Sequence, residues 1–342
     1  MLTLHDRMFP GNVVLFEKFQ HFYLLSSLFV AAELDLAGLL KNGEKSAEQL
    51  AAESGTDTES LYRILRSLAS QKIFREGKNR QFRNTRLSRS LIDGEGSLRQ
   101  MLRHHLGKVN WQIMGESLDT VRTGKDGFIR IHHKDIYSYL SGDPESSRIF
   151  GQSMSELSSL GMLPLLQAYR FSGIHTLADI GGGEGFLLAN ILMVYPAMQG
   201  ILFDQAAALE NATAVMQEFG VEERVKRIEG NFLESIPEGA DGYILKNVLH
   251  NWDDKNCVDI LSSIRKVMPD KGKVLIVEMV VPEGNTASTA KMIDIQMLAS
   301  MPGGKERTKK EFEAILLQSG LRLNHEFKTI APVSILEAQR IN

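Results

Sequence analysis

The chain has 342 residues and one cysteine, and its basic and acidic side chains nearly balance to a net charge of −3. This length is sufficient for two domains with substantial cores, and the composition is that of an ordinary soluble protein. The small negative charge argues against a general attraction to nucleic acid or to anionic membranes. The lone Cys257 excludes an intramolecular disulfide framework and fits a reducing compartment, so we expect a cytoplasmic protein without a secretory signal.

Residues 22–32 form a mostly apolar run that Lys18 and Glu33 bracket. The run is too short to span a bilayer, since a transmembrane helix needs about 20 apolar residues. We therefore expect a buried helix at a subunit interface.

Residues 46–93 have the order helix, turn, helix and hairpin. Ser46 can begin the first helix, with Gln49 three residues later as a capping box requires, and Gly55 ends it. Thr56 or Asp57 caps the second helix, whose apolar residues have helical spacing: Leu61, Ile64, Leu65 and Leu68. A ribbon follows, with its turn at residues 77–79. This order predicts a winged helix, and residues 1–95 are predicted to be the first domain.

Winged helices often bind DNA, and this one contains eight basic residues: Arg63, Arg66, Arg75, Lys78, Arg80, Arg83, Arg86 and Arg89. Three acidic residues argue against DNA binding, because Glu53, Asp57 and Glu59 lie at the start of the second helix. A recognition helix meets base edges and phosphates there, and negative charge opposes that contact. A solvated basic face on a dimerisation module is the preferred interpretation. A DNA-binding role is kept as the alternative, although we expect no nucleic-acid partner.

Residues 96–342 are predicted to be the second domain. Its first part, residues 96–170, has a helical pattern. We expect this part to connect the two domains and to form one wall of a substrate pocket. From residue 174 onward, strands and helices alternate, which favours a doubly wound α/β sheet. The strand candidates are residues 176–180, 199–204, 224–228, 241–247 and 273–281.

A glycine turn, residues 181–185, follows the first strand candidate directly and is followed by an apolar helix. Its spacing is Gly181-x-Gly183-x-Gly185, with Asp179 two residues earlier. A dinucleotide fingerprint would need its third glycine where this chain has Phe186. The spacing resembles the first motif of class I methyltransferases, which bind S-adenosylmethionine with the early carboxylate facing the cationic end of that cofactor.

Polar or aromatic residues follow the next three strand candidates, where ligands bind on such a sheet. Asp204 ends the second strand candidate, and its carboxylate can accept hydrogen bonds from two ribose hydroxyls. Asn231 and Phe232 follow the third candidate and can face an adenine ring. His250 comes just after the fourth candidate, close to where a transferred methyl group would lie.

Four segments together resemble the small-molecule O-methyltransferases of the caffeate, isoflavone and hydroxyindole type, including bacterial members. They are residues 179–185, 245–254, 276–278 and 302–308. The likeness runs from about residue 15 to about residue 340. It implies a Rossmann-like catalytic domain, an N-terminal winged helix that forms a homodimer, and methyl transfer to a small, aromatic acceptor.

The same resemblance implies roles for individual residues. His250 corresponds to the general base, flanked by Glu278 and Glu306. The implied cofactor contacts are Ser158, Asp179, Gly181, Gly183, Asp204, Asn231, Phe232 and Lys246. The implied acceptor contacts are Met154, Asn251 and Met297. No cluster of His, Cys, Asp and Glu has convincing ligand spacing, so we expect no metal.

Two residues depart from the family pattern, which usually has aspartate at positions 231 and 251. Asn231 can still accept a hydrogen bond from an adenine amino group. The asparagine at position 251 is expected to affect which substrate is methylated. Some relatives of this family bind the cofactor and carry out decarboxylation or hydroxylation. That chemistry is the second alternative, and the presence of His250, Glu278 and Glu306 argues against it.

Overall fold

The computed structural model describes residues 8–341, which form two compact units. The first comprises the described part of Met1–Trp111 together with Glu145–Leu157. The second comprises Gln112–Pro144 and the described part of Ser158–Asn342. The chain thus passes between the units three times, whereas the domain prediction drew one boundary after residue 95. That boundary stays a prediction.

The helices, numbered in chain order, are α1 (Gly11–Glu33), α2 (Leu36–Leu39), α3 (Ala47–Ser54), α4 (Thr58–Ser70), α5 (Arg86–Arg89), α6 (Arg99–His105), α7 (Lys108–Gly115), α8 (Ser117–Thr123), α9 (Gly127–His132), α10 (Ile136–Leu140), α11 (Pro144–Ala168), α12 (Phe186–Val194), α13 (Ala206–Leu209), α14 (Ala212–Glu218), α15 (Asp254–Val267), α16 (Thr289–Ser300) and α17 (Lys309–Gln318). The strands are β1 (Lys45–Ser46), β2 (Phe74–Glu76), β3 (Gln81–Asn84), β4 (Thr176–Ile180), β5 (Gln199–Asp204), β6 (Val225–Glu229), β7 (Gly242–Lys246), β8 (Lys273–Glu278), β9 (Val280–Val281), β10 (Arg307–Thr308), β11 (Leu321–Lys328) and β12 (Ser334–Arg340). Three short 3₁₀ turns cover Lys78–Arg80, Glu222–Arg224 and Leu249–Asn251.

The first unit contains the predicted helix–turn–helix and hairpin. Ser46 and Gln49 form the capping box of α3, Gly55 ends that helix in the left-handed conformation, and Asp57 caps α4. Strands β1, β3 and β2 form a three-stranded antiparallel sheet. The apolar faces of α3 and α4 and the hairpin residues Phe74 and Phe82 enclose one core.

Some of the basic residues of the winged helix are paired with acidic residues. Arg80 donates to Glu59 at 2.9 Å, and its guanidinium lies over the ring of Tyr62. Arg83 lies 3.4 Å from Glu44. These ion pairs reduce the positive charge that this face presents to solvent.

Helix α1 is longer than the apolar run that predicted it. With 23 residues it is long and apolar enough to cross a membrane by length and composition alone. Within one chain the run 22–32 is buried on one side only, since Ala31 and Ala32 are buried whereas Phe22 and Tyr23 are each more than half exposed. Its burial at a subunit interface stays a prediction. Ala31 belongs to the core of the first unit, and Leu24 and Leu28 pack against that core, so one face of α1 is covered within the described part of the chain and the opposite face is not.

The second unit is built on a seven-stranded sheet in the order β11-β12-β8-β7-β4-β5-β6. The five strands β4 to β8 are parallel, and β11 and β12 form an antiparallel hairpin at one edge. The strand candidates 176–180 and 199–204 coincide with β4 and β5, and the next two differ by one residue at their ends. Candidate 273–281 divides after Glu278, because Val280 and Val281 pair with β10 instead.

Both faces of this sheet are covered, as a mostly parallel sheet requires. Along β7, Tyr243 and Leu245 point into one core, while Ile244 points into the other. This arrangement confirms the predicted doubly wound α/β fold. It brings the carboxyl ends of β4, β5 and β7 to one edge, where the candidate site lies.

Candidate active site

The glycine turn joins β4 to α12. Gly181, Gly183 and Gly185 have φ angles of +69°, +58° and +83°, a region that favours glycine over residues with a Cβ. A Cβ at Gly183 would meet no other atom within 4 Å. The turn therefore presents open main chain at the end of β4, where a ligand can lie against the backbone.

Asp204, at the end of β5, faces this turn. Its Oδ2 accepts from the N–H of Gly183 at 2.8 Å, and its Oδ1 accepts from Gln205 at 2.7 Å. Burial raises the pKa of the Asp204 carboxyl, against the effect of these two hydrogen bonds. Each oxygen has one of these backbone donors and keeps capacity for another, which suits a ligand with two neighbouring hydroxyls.

Asp179 and Lys246 form a buried pair of opposite charge. Oδ2 of Asp179 has no hydrogen-bond partner, and burial raises the pKa of this carboxyl to about 7 against the opposing charge of Lys246. Nζ of Lys246 donates to Oγ of Ser158 at 2.9 Å. Burial lowers the pKa of Lys246 to about 8, although the charges of Asp179 and Glu278 oppose that effect. The pair offers a carboxyl oxygen without a hydrogen-bond partner and a basic nitrogen beside the glycine turn.

Asn231 and Phe232 follow β6 as predicted. The amide of Asn231 accepts from the N–H of Leu233 and donates to Glu234, each at 3.0 Å. The Phe232 ring lies 3.4 Å from where a Cβ of Gly181 would stand. The aromatic ring thus borders the glycine turn, while the Asn231 amide already makes hydrogen bonds within its own turn.

The histidine turn, residues 247–252, follows β7. Asn247 has φ of +54°, a conformation that asparagine adopts more readily than most residues, and it directs the chain out of the sheet. Asn251 donates to the carbonyl of Asn247 at 3.2 Å. A methyl group of Val248 lies 2.9 Å from the position of a Cβ on Gly181. The histidine turn and the glycine turn are therefore in contact.

His250 lies on this turn between two buried carboxylates. Its Nδ1 is 2.8 Å from Oε1 of Glu306 and 3.6 Å from Oε2 of Glu278. Burial acts to lower the pKa of His250, but the charges of both carboxylates and the hydrogen bond that Nδ1 donates to Glu306 outweigh it. The pKa of the imidazole is raised above its ordinary value. Because Nδ1 is engaged with Glu306, Nε2 is the nitrogen available to a ligand.

Glu278, at the end of β8, binds the backbone of the histidine turn. Its Oε1 accepts the N–H groups of Val248, Leu249 and His250 at 3.0, 2.9 and 3.4 Å. Burial raises the pKa of this carboxyl, against the charge of His250. One carboxylate thus fixes the turn, while Glu306 contacts the ring.

The ligand atoms of His250, Glu278 and Glu306 lie within 4.8 Å of one another, so by composition this group could hold a metal ion. The three backbone donors already occupy one oxygen of Glu278, and Glu306 occupies Nδ1 of the histidine. These contacts suit an acid–base group, in which carboxylates orient an imidazole and stabilise its charged form.

Comparison with known proteins identifies the family. Residues 115–322 match the O-methyltransferase domain, and residues 16–94 match the O-methyltransferase dimerisation domain. The chain belongs to the O-methyltransferase family. It is an S-adenosylmethionine-dependent O-methyltransferase, which confirms the predicted family and reaction class. The dimerisation domain supports a homodimer.

Three similar proteins show how far this likeness extends. The phenazine O-methyltransferase of Lysobacter antibioticus is 35% identical over 97% of this chain and 97% of its own length. The mitomycin biosynthesis 6-O-methyltransferase of Streptomyces lavendulae is 33% identical over 92% of this chain and 90% of its own. A methyltransferase of calicheamicin biosynthesis, solved with S-adenosylhomocysteine bound, is 31% identical over the full length of both chains, with a TM-score of 0.84.

The two methionines of this O-methyltransferase that were predicted to contact the acceptor, Met154 and Met297, lie in different units. Met297 lies on α16 of the second unit and is buried. Met154 is half-buried on the part of α11 that belongs to the first unit, so its predicted contact with the acceptor stays a prediction. A cleft of about 670 Å³ between β9, α17 and the β11–β12 hairpin contains none of the predicted site residues.

Sequence reasoning missed the residues that support the acid–base group. The N–H of Glu306 donates to Asp294 at 2.8 Å, and the side chain of Arg307 is completely buried beneath the histidine turn. Arg307 lies within the segment 302–308 that carried the family resemblance. Its position in that segment was the available signal, although a lone arginine is usually expected on the surface.

Proposed function

We propose that this methyltransferase methylates a hydroxyl group of a small aromatic acceptor, with His250 as the general base and without a metal. The observation that carries the proposal is the placement of His250. Its Nδ1 is held by the buried Glu306, and its turn contacts the glycine turn through Val248. Nε2 is therefore the nitrogen that would meet an acceptor next to the methyl donor.

The residues around the glycine turn fit S-adenosylmethionine. The unpartnered Oδ2 of Asp179 suits its cationic end, and the Asp204 carboxylate suits the ribose hydroxyls. Lys246 and Ser158 suit its carboxylate, and Gly183 leaves space for close approach of the ligand to the main chain. When bound, the cofactor supplies a methyl group that passes to the acceptor oxygen, and S-adenosylhomocysteine leaves.

The acceptor hydroxyl needs help to become a nucleophile. A phenol has a pKa of about 10, so it is largely protonated at neutral pH. His250 takes its proton on Nε2, and such general base catalysis contributes about 10²- to 10⁴-fold to a rate. Glu306 keeps the Nδ1 proton directed toward itself and stabilises the imidazolium that forms. Glu278 keeps the turn in place through its three backbone hydrogen bonds.

An aromatic acceptor is the class that the surroundings favour. Trp252 directly follows the 3₁₀ turn that carries His250. Met297 lies on α16 and Met301 directly follows it, and Asp294 of this helix binds the N–H of Glu306. Methionine and tryptophan side chains suit flat aromatic ligands. One relative is named as a phenazine O-methyltransferase, and phenazine is a flat aromatic ring system. We propose that Asn251, where the family usually has aspartate, helps to select the acceptor.

The role of His250 is tested by replacing it with alanine. We expect His250→Ala to lose about 10²-fold or more of kcat on a phenolic acceptor, because the base is removed. The dissociation constant of S-adenosylhomocysteine, measured by calorimetry, should stay the same. His175→Ala is the matched control, since this histidine also pairs with a carboxylate but is 89% exposed and lies at the opposite end of β4. Full turnover by His250→Ala would exclude His250 as the base.

Removal of metal ions tests the second part of the proposal. Dialysis against a chelator should leave kcat unchanged, because the proton is taken by an imidazole and no group in the proposed steps needs a Lewis acid. Activity that falls with the chelator and returns with added Mg²⁺ or Zn²⁺ would instead assign a metal to the group formed by His250, Glu278 and Glu306.

We also propose a cytoplasmic homodimer. The single Cys257 is a buried thiol within α15, as expected in a reducing compartment. The match to the dimerisation domain includes most of α1, and a second copy would cover its exposed apolar residues.

A further inference from the structure

The segment 302–308 packs closely against the histidine turn. A Cβ at Gly303 would lie 2.8 Å from Cβ of Asp253, and a Cβ at Gly304 would lie 2.7 Å from the carbonyl oxygen of His250. The N–H of Lys305 donates to that same carbonyl at 2.9 Å. Two adjacent glycines therefore allow the backbone of this segment to contact the backbone that carries the base.

The guanidinium of Arg307 binds the histidine turn on both sides of His250. It donates to the carbonyl of Leu249 at 2.9 Å, on one side of His250, and to the carbonyl of Trp252 at 2.8 Å, on the other. Two further bonds, at 2.9 and 2.7 Å, reach Oδ1 of Asp254. Only a planar group with several N–H donors can make these contacts together.

The two surfaces of the turn are thus bound by side chains of opposite charge. Glu278 binds the N–H groups that precede and include His250, and Arg307 binds the carbonyls on either side of it. Arg307 is also the immediate neighbour of Glu306, which contacts the ring. Two adjacent residues therefore hold His250 in different ways. Arg307 binds the backbone on either side of it, and Glu306 binds its ring.

A completely buried guanidinium is costly unless it is well paired. Its one carboxylate partner, Asp254, is half exposed, and the remaining partners are neutral carbonyls. Replacing a whole buried ion pair with apolar side chains often leaves stability the same or higher, whereas removing one partner alone is strongly destabilising. An apolar side chain at position 307 would fill space but leave the carbonyls of Leu249 and Trp252 without this donor, so the contacts of Arg307 serve to hold these two carbonyls.

We propose that Arg307 is a positioning residue for the methyl transfer reaction, which fixes His250 between its carboxylates by binding the carbonyls of Leu249 and Trp252. The proposal rests on the role of His250 in the proposed function. Asp254 supports the reaction indirectly, by orienting the guanidinium.

The test compares Arg307→Lys with Asp254→Asn. Lysine keeps the charge but cannot reach both carbonyls and Asp254, so kcat should fall about 10- to 100-fold, the usual effect of a small misplacement of a catalytic group. The dissociation constant of S-adenosylhomocysteine should change less than twofold. Asp254→Asn changes only a half-exposed side chain, and kcat should fall a few-fold in the same direction.

The titration of His250 provides a readout that a purely structural role would not change. In Arg307→Lys the imidazole moves away from Glu306, so its pKa, followed by NMR of the ring, should decrease toward the ordinary value. Arg224→Lys is the matched control, because Arg224, like Arg307, binds backbone carbonyls, in its case those of Leu192, Tyr195 and Met198. It should lower stability without changing the pKa of His250.

Different results separate this proposal from the proposed function. If His250→Ala is inactive while Arg307→Lys and Asp254→Asn keep full kcat and an unchanged histidine titration, Arg307 is only structural and this proposal is wrong. If His250→Ala keeps full turnover, the proposed function itself fails. Should Arg307→Lys not fold, Asp254→Asn decides the question by its kcat and its histidine titration.

Discussion

The two carboxylates beside His250 act on different parts of it. Glu306 contacts Nδ1 of the ring at 2.8 Å, whereas Oε1 of Glu278 accepts three N–H groups of the backbone. Loss of the charge at Glu306 should therefore change the ring and leave the turn in place. This separation allows the acid–base role to be tested without unfolding the site.

Glu306→Gln should shift the pH dependence of kcat toward lower pH. His250 acts as a base when it is neutral, and the nearby carboxylates raise its pKa, so activity rises with pH through that raised value. The amide keeps an acceptor for Nδ1 but removes one negative charge, which lowers the pKa of His250. The plateau should fall by about tenfold, because a hydrogen bond to a charged group is worth about 1–1.5 kcal/mol more than a neutral one.

The measurement is a pH–rate profile under saturating cofactor and acceptor. Glu313→Gln, at an exposed position on α17, controls for the general loss of one negative charge and should leave the profile unchanged. A rising limb that stays in place, or that moves to higher pH in Glu306→Gln, would contradict the assignment of Glu306 as the partner of the base.

At the scale of elements, the glycine turn combines two requirements that different glycines meet. Gly183 has an open space where a Cβ would stand, and Gly185 does not. A Cβ at Gly185 would overlap Cε of Met216 and lie 2.9 Å from Cδ2 of Leu202. The missing side chain at Gly183 thus leaves space for a ligand, while the missing side chain at Gly185 allows the start of α12 to pack closely on the sheet.

Alanine substitutions should separate these two requirements. Gly183→Ala should weaken binding of S-adenosylhomocysteine by tenfold or more, because its methyl group enters the space for the ligand. Its stability should fall only by the strain of a left-handed residue, about 1–2 kcal/mol. Gly185→Ala has the same backbone strain and adds overlap in the core, which costs about 1–3 kcal/mol more. Denaturant unfolding and calorimetry measure both quantities, and equal losses of stability in the two variants would refute the distinction.

The strands that hold the site could be predicted from sequence, and the edge hairpin could not. β4, β5 and β7 are short apolar runs that end in a glycine or a polar residue, a pattern that is local in the chain. β11 and β12 were absent from the prediction. In β11 the alternation of buried and exposed residues is interrupted by an irregularity between Leu323 and His325, so no clear period of two is present.

At the scale of the whole molecule, the candidate site depends on contacts between distant segments, and these limited what the sequence could predict. Asp204 and His250 were identifiable because Asp204 ends one strand of the sheet and His250 comes shortly after another. Arg307 was not, since its partners are mostly backbone carbonyls, which leave no trace in the sequence. The apolar run of α1 predicts that this helix is covered, but the sequence does not identify the residues that cover it.

The exposed side of α1 is a large apolar surface on a protein that carries a dimerisation domain. Phe16, Phe19 and Tyr23 form a chain of ring contacts along the helix, with centroids 6.3 and 5.5 Å apart. Exposed apolar surfaces of this size usually mark an interaction site. This surface lies mostly within residues 16–94, which match the dimerisation domain, and in the homodimer proposed above a second copy would cover it.

Phe19→Glu should therefore convert the dimer to a monomer. A carboxylate in the centre of this aromatic row would have to lose its water without a partner, which opposes association. Light scattering after size-exclusion chromatography should show the mass of two chains for the wild type and 38.2 kDa, the mass of one chain, for the variant. Leu317→Glu is the control, because Leu317 is an exposed apolar residue on α17, outside the dimerisation domain, and its variant should remain a dimer. A wild-type protein that is monomeric and floats with lipid vesicles would instead assign α1 to a membrane, as its length and composition also allow.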